Sequence, residues 1–185
     1  MGTAHGYTTA VVRLLADRAP GLLKTLREHQ PDYVLLDGTL SECDRLGDGR
    51  ADYSHKHRRH GVDVQVVTDL EGRLLWISPA SPGRARDLTA ARTHRIIRIC
   101  KRQGVPIVAD HTYVGVGSWT TTAIRRPPNG ELTSTERTHT RALAQIRAPV
   151  EKGVARLKSW RIFRRSRCSP NRMTDIAAAV LALER

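Results

Sequence analysis

Cysteine is scarce in this chain, with three in 185 residues. Cys43, Cys100 and Cys168 are widely spaced, and no Cys-x-x-Cys or Cys/His pair has the spacing of a zinc site. They read as reduced thiols, the usual state in the cytosol. No run of about 18 apolar residues occurs, which excludes a membrane-spanning helix. No basic stretch followed by an apolar one opens the chain, so no signal peptide is read there. Internal repeats and long low-complexity tracts are also missing. Aromatic residues make up only 4%, so the core has to be built from Val, Leu, Ile and Ala.

Positive charge, by contrast, is plentiful. The formal charge is +13 and the isoelectric point is near 10.8. Such a surface attracts polyanions, nucleic acid before an anionic membrane. An Arg-rich chain from a GC-rich genome would carry the same excess, so charge alone does not name the partner. The balance of 39% hydrophobic and 26% charged residues fits one soluble globular domain, with or without a short appendage.

Hydrophobic spacing predicts two short helices over 10–28, broken at Pro20-Gly21. Tyr33 to Leu36 reads as a central strand ending at Asp37-Gly38. Residues 43–61, with Gly47, Gly49 and Gly61, read as loop. Val62–Val67 and Leu74–Ile77 read as strands joined by a hairpin at Asp69–Gly72. A single helix is expected from Asp87, taken as its N-cap, to Gly104. Val105 to Ala109 is a short strand ending at Asp110, reached by a crossover and so parallel to a neighbour. A short helix and then a strand around Ala123–Arg125 are expected next. Arg126–Gly130 is a loop, and Ser134 or Thr135 caps the last long helix. Its stripe is Leu143, Ile146, Val150, Val154, Leu157 and Trp160, with Pro149 as a kink or a second start. Asp175 to Leu183 forms a tail helix. This order predicts a mixed α/β fold whose first three strands are antiparallel.

Asp37 and Asp110 each close a buried apolar run, and Glu151 borders the stripe of the long helix. Ligands gather beyond the carboxyl ends of strands in open α/β sheets. Converging there, the three acids would make a hard oxygen site for Mg²⁺ or Mn²⁺. Taken singly, each acid has an ordinary reading: a strand-end turn residue for the two aspartates, and a solvated helix charge beside Arg147 or Lys152 for Glu151. Asp63, Asp69 and Glu71 read as hairpin charges.

Around these acids, VLLDGTL, YSHKHRRHGVDVQVV, LLWISPASPGRARDLTAAR, VPIVADHTYVG and RAPVEKGVARLKSWRIF occur in this order. Together they resemble the DDE endonuclease domain of insertion-sequence transposases, from about Asp32 to Phe163. The resemblance implies an RNase H-like mixed sheet of about five strands flanked by helices. It implies catalysis and metal binding by Asp37, Asp110 and Glu151, with two Mg²⁺ (or Mn²⁺) ions. It further implies cleavage and transfer of strands at transposon-end and target DNA by a homo-oligomer in the cytoplasm, associated with the nucleoid.

Two departures stand out. The family's usual Lys-Gly-Tyr after the second aspartate is His111-Thr112-Tyr113 here, and Thr112 lacks the backbone freedom of glycine. Arg86 stands where the family often has His before Asp87-Leu88-Thr89. Residues 1–31 resemble only a helical connector, 32–167 the endonuclease domain, and 168–185 a C-terminal helix packed on it. The family's N-terminal helix-turn-helix region is not seen, which suggests a truncated copy or a displaced start codon.

DNA contacts are expected from Lys56, Arg58 and Arg59 of the basic 54–60 stretch and from His111. Lys158, Arg161, Arg164 and Arg165 form a second series. A metal site at His55, His57 and His60 is disfavoured by the cations between them. The competing function is a DNA-binding remnant without catalysis. A housekeeping RNase H-like nuclease fits less well, because RAPVEKGVARLKSW is foreign to it.

Overall fold

Pro20-Gly21 separates two helices, as the spacing predicts: α1 (Gly2–Ala16) and α2 (Leu22–His29). The structure is a computed structural model describing residues 2–44, 51–127 and 130–185. Gly47, Gly49 and the Pro128-Asn129 pair lie outside the described residues. α2 buries Leu22 and Leu26, one turn apart on one face.

Strand β1 (Val34–Cys43) starts with the fully buried Val34, Leu35 and Leu36. It does not stop at Asp37. It runs on to Cys43 because the next long strand pairs with its whole length. Part of the stretch read as loop is structured: β2 (Tyr53–Ser54) forms a hairpin with the start of β3 (Arg59–Thr68). β3 is antiparallel to β1 from Leu35↔Thr68 to Glu42↔Gly61. Asp69 makes the turn that follows, its Oδ1 accepting from the backbone N–H of Glu71 (3.1 Å) and Arg73 (2.8 Å). β4 (Leu74–Ile77) then returns along the outer edge of β3, followed there by β5 (Ser81–Pro82).

The crossover is two helices, not one: α3 (Asp87–Thr93) and α4 (Ile96–Gln103). The break lies at Arg95, which is left-handed at φ 56°; no Gly or Pro marks it in the sequence. β6 (Ile107–Ala109) runs parallel to β1, and β7 (Thr120–Thr122) parallel to β6. The predicted strand at Ala123–Arg125 is therefore displaced onto three β-branched threonines, which suit a pleated edge. The helix expected near 117 is replaced by a 3₁₀ turn at His111–Tyr113.

α5 (Ser134–Ser159) is one continuous helix through Pro149. Thr133, not Ser134 or Thr135, caps it in a reciprocal capping box with Glu136. Leu143, Val150 and Leu157 are buried on it, while Ile146 is 40% exposed, so the stripe is narrower than its sequence spacing. Gly153 lets this helix approach closely, since a Cβ there would collide with Thr68 Cγ2. β8 (Arg165–Ser166) joins the far end of β1 in parallel, and α6 (Met173–Glu184) packs on α1 and β4.

The principal sheet thus reads β4-β3-β1-β6-β7, with β2, β5 and β8 as short additions. This is an α/β fold with a curled mixed sheet of five main strands, RNase H-like as expected. Alternation assigns the two faces. Val34, Leu36, Ile107 and Ala109 belong to the large core that α2, α4 and α6 cover. Leu35 and Val108 face the other way, into a smaller cluster with Leu143 and Val150 of α5.

Candidate active site

β6 stops at Ala109, paired with Leu36. Asp37 and Asp110 are the next residues on these two parallel neighbours. By parity each follows Leu35 or Val108 onto the face that α5 covers. Arg147 of α5 comes down between them, Nη2 3.7 Å from Asp37 Oδ1 and Nη1 3.8 Å from Asp110 Oδ1. Burial pushes the Asp37 carboxyl above its ordinary range; Arg147 and the Gly38 N–H oppose this, and the neighbouring Asp110 and Asp87 add to it. Asp110 also caps the 3₁₀ turn: Oδ1 accepts from the backbone N–H of His111 and lies 2.6 Å from its ring Nδ1. Thr112 takes its place in that turn without a positive φ, so the glycine usual in the family is not required there.

Glu151 lies one helical turn beyond Arg147, with its side chain exposed. Among the described residues no three of His, Cys, Asp and Glu are close enough together to hold a metal ion. The cation that meets the aspartates is therefore Arg147. Its fit is loose: both contacts exceed hydrogen-bonding distance, and its Nε is buried without a partner. Two hard carboxylates sharing one poorly matched cation have donor chemistry suited to Mg²⁺ or Mn²⁺.

On the opposite face of β1, sequence reasoning missed a second polar group. Gly38 leaves no room for a side chain, because the Asp87 carboxyl rests against it. Asp87 is not the N-cap of α3. Arg86 holds that position, and Asp87 Oδ2 instead accepts from Lys56 Nζ at 3.1 Å. Burial lowers the proton affinity of Lys56, but the charge and hydrogen bond of Asp87 together with the charges of Asp37 and Asp110 more than offset it, and its pKa stays above the ordinary value. Asp63 is not a surface hairpin charge. It is 6% exposed, and its Oδ2 accepts from Gln65 Nε2 at 2.7 Å. Burial, reinforced by Asp87, pushes its pKa up to about 8. Gln65 Oε1 in turn accepts from the fully buried Tyr113 hydroxyl at 2.6 Å. The available signal was Asp63 and Gln65 alternating with Val62, Val64 and Val66, two polar residues on one face of a buried strand.

The two basic series meet at the far end of β1. Lys56 and Arg58 lie in the exposed turn between β2 and β3, Arg58 at φ 52°. Arg59 makes a bidentate pair with Glu42 (2.9 and 2.8 Å), and Arg165 Nε pairs with Asp44 (2.9 Å). Lys158 is close enough for its charge to act on His57. Its carbonyl accepts from Arg164 Nε at 2.7 Å, and Arg161 and Arg164 are exposed beside it. Trp160 ends α5 with its indole N–H donating to Glu184 Oε1 (2.6 Å). Two of the thiols are buried, and burial raises Cys43 to about 11 and Cys100 to about 12.

A curled mixed sheet of five main strands flanked by helices defines the class, a protein of RNase H-like fold. Residues 36–185 match the sequence model of the DDE superfamily endonuclease, and the chain belongs to that family. No curated protein and no solved structure matches it. Among the described residues, no helix is long and apolar enough to cross a membrane.

Proposed function

We propose that this chain is a transposase that cuts and joins DNA strands at transposon ends, with Asp37, Asp110 and Glu151 as its catalytic and metal-holding acids. The observation that supports this most is the position of Asp37 and Asp110, each next after the last pair of two parallel strands and sharing Arg147, with α5 carrying Glu151 one turn from that arginine. Asp37 and Asp110 would hold Mg²⁺ or Mn²⁺, as one or two ions, and Glu151 would complete the set. A bound ion supplies Lewis-acid activation and neutralises charge that develops on the phosphate. Arg147, one turn from Glu151, holds the two carboxylates together until they are used. Lys56, Arg58, Arg59 and His111, together with Lys158, Arg161, Arg164 and Arg165, meet the DNA backbone. Long-range attraction by the +13 chain precedes these contacts. Strand transfer between two transposon ends calls for a second copy on the DNA.

One observation favours a DNA-binding protein that does not cut: Arg147, not a third carboxylate, meets the aspartates. Both readings are decided by nicking of transposon-end DNA with Mg²⁺ or Mn²⁺. The transposase reading expects nicking by the wild type and a loss of at least about 1,000-fold in Asp37→Asn, because a carboxylate ligand becomes a neutral amide. Nicking by Asp37→Asn at the wild-type rate would sink the assignment. Binding of DNA by the wild type with no nicking in either ion would favour the second reading.

A further inference from the structure

α3 and α4 carry a basic groove that the candidate active site does not use. From Leu88 to Ala109 the sequence holds five cations and no acid: Arg92, Arg95, Arg98, Lys101 and Arg102. All five line one shallow groove on these helices, and all are exposed. Among the described residues none of them pairs with a carboxylate. Arg92 Nη2 donates to the Gly115 carbonyl at 2.8 Å. The half-buried Ile97 and Val116 give the groove an apolar floor. α4 covers the large core, on the face of the sheet opposite α5, so the groove is apart from the paired acids and shares no residue with either basic series.

Ordinary helix physics accounts for part of this charge. Lys101 and Arg102 stand in the last turn of α4, where cations meet the negative end of the helix dipole. Arg95 has no such account. It is the N-cap of α4 and makes no side-chain capping bond, so its charge stands at the positive end of the dipole. Its backbone is also left-handed, at φ 56°, a region costly for a long side chain. Asparagine would suit both demands, as a good cap and a tolerant left-handed residue. A cation kept where the fold favours a neutral cap points to a use outside the fold. Its neighbours indicate which use. Five cations without acidic partners repel one another until a partner of closely repeated negative charge lies over them. The DNA backbone has that form, with phosphates alternating with apolar deoxyribose that can rest on Ile97 and Val116.

We propose that the α3–α4 groove binds a stretch of duplex DNA through its backbone, as a contact surface separate from the acids, and that Arg95 is held at the bend between the helices for this contact. The proposal rests on DNA being the substrate, but not on cutting. The test is binding of a mixed-sequence duplex by the full chain, free of divalent ions, followed by fluorescence anisotropy over a salt series. Each phosphate contact adds about 0.9 to the slope of log affinity against log salt. Arg95→Asn should lower that slope by about 1 and the affinity several-fold, yet raise the urea midpoint. Arg95→Asn/Arg98→Gln/Arg102→Gln should lower the slope by about 3. Arg13→Gln/Arg18→Gln/Lys24→Gln removes the same charge from other exposed positions and should lower it by less than about 1. Equal losses in the two triple variants would reduce the effect to overall charge and overturn the proposal. An Arg95→Asn chain less stable than the wild type would make Arg95 a residue of the fold and overturn it too. Weakened binding of poly-glutamate with unchanged binding of DNA in the first triple variant would assign the groove to an acidic protein instead. Unchanged DNA binding there would leave the nicking reading intact, whereas a chain that does not nick would leave a positive result here standing.

Discussion

Replacing Asp63 by Asn tests the buried carboxyl behind Gly38. In the fold its pKa is about 8, against an ordinary 3.8. Below pH 3.8 both folded and unfolded chains hold the proton. Between that point and pH 8 only the folded chain does, so stability falls as pH rises and levels off above 8. The gap is roughly 4 pH units, which at about 1.4 kcal/mol each sets a ceiling near 6 kcal/mol. Local relaxation and water entry lower this, and roughly half, about 3 kcal/mol, is the expected effect. Asparagine has nearly the shape of the protonated acid and can still accept from Gln65, but it carries no titration. Urea unfolding at pH 4.5, 6.5 and 8.5 should therefore show Asp63→Asn near wild type at the lowest pH and more stable at the highest. Other titrating groups, including the raised Asp37, are common to both proteins, so the difference between the two curves isolates Asp63. Parallel curves for the two proteins would refute the reasoning, as would an Asn variant that is weaker at pH 8.5.

Arg147→Met should leave Asp37 and Asp110 facing each other without a cation, costing about 1–3 kcal/mol in metal-free buffer. Added Mn²⁺ should then raise its melting temperature more than that of the wild type, as read by thermal shift. Gly38→Ala should push the Asp87 carboxyl off β1 and cost about 1–3 kcal/mol as overpacking. Denaturant melts measure this, and an unchanged midpoint would show that Asp87 yields freely. Leu157→Ala removes a fully buried side chain from α5 and should cost about 2–5 kcal/mol by the same assay.

The apolar runs around Leu36 and Val108, the Asp69 hairpin and the crossover were all legible in the sequence, because each is written in local pattern. Gly38 misled: a glycine after an acid reads as a turn, but here it is a strand residue kept small by a carboxyl from α3. The kink at Arg95 carries no breaker residue, since tertiary packing of α3 and α4 imposes it. The strand order allowed Asp37 and Asp110 to be neighbours, and the pairing of β1 with β6 makes them so. Arg147 was not legible, because one helical turn separates it from Glu151 and spacing alone cannot say which of the two turns toward the sheet. Asp63 and Gln65 of β3, Asp87 of α3 and Tyr113 come from three separate segments. The alternation in β3 marks the first two, but only the packing of α3 and the 3₁₀ turn against that strand adds the others, and no local signal encodes it.

The position of β1 also has a consequence for how the chain acquires its structure. This strand is synthesised before all its partners, which are β3, β6 and, at residues 165–166, β8. Its edge facing β6 stays unpaired on the ribosome until about 70 more residues have emerged, and its far end until Ser166 has. Pairings of such long sequence separation are slow to form, and an open apolar edge invites wrong partners meanwhile. The same central strand that places the aspartates side by side thus makes the nascent chain vulnerable to aggregation, and a dependence of soluble yield on chaperones follows from it.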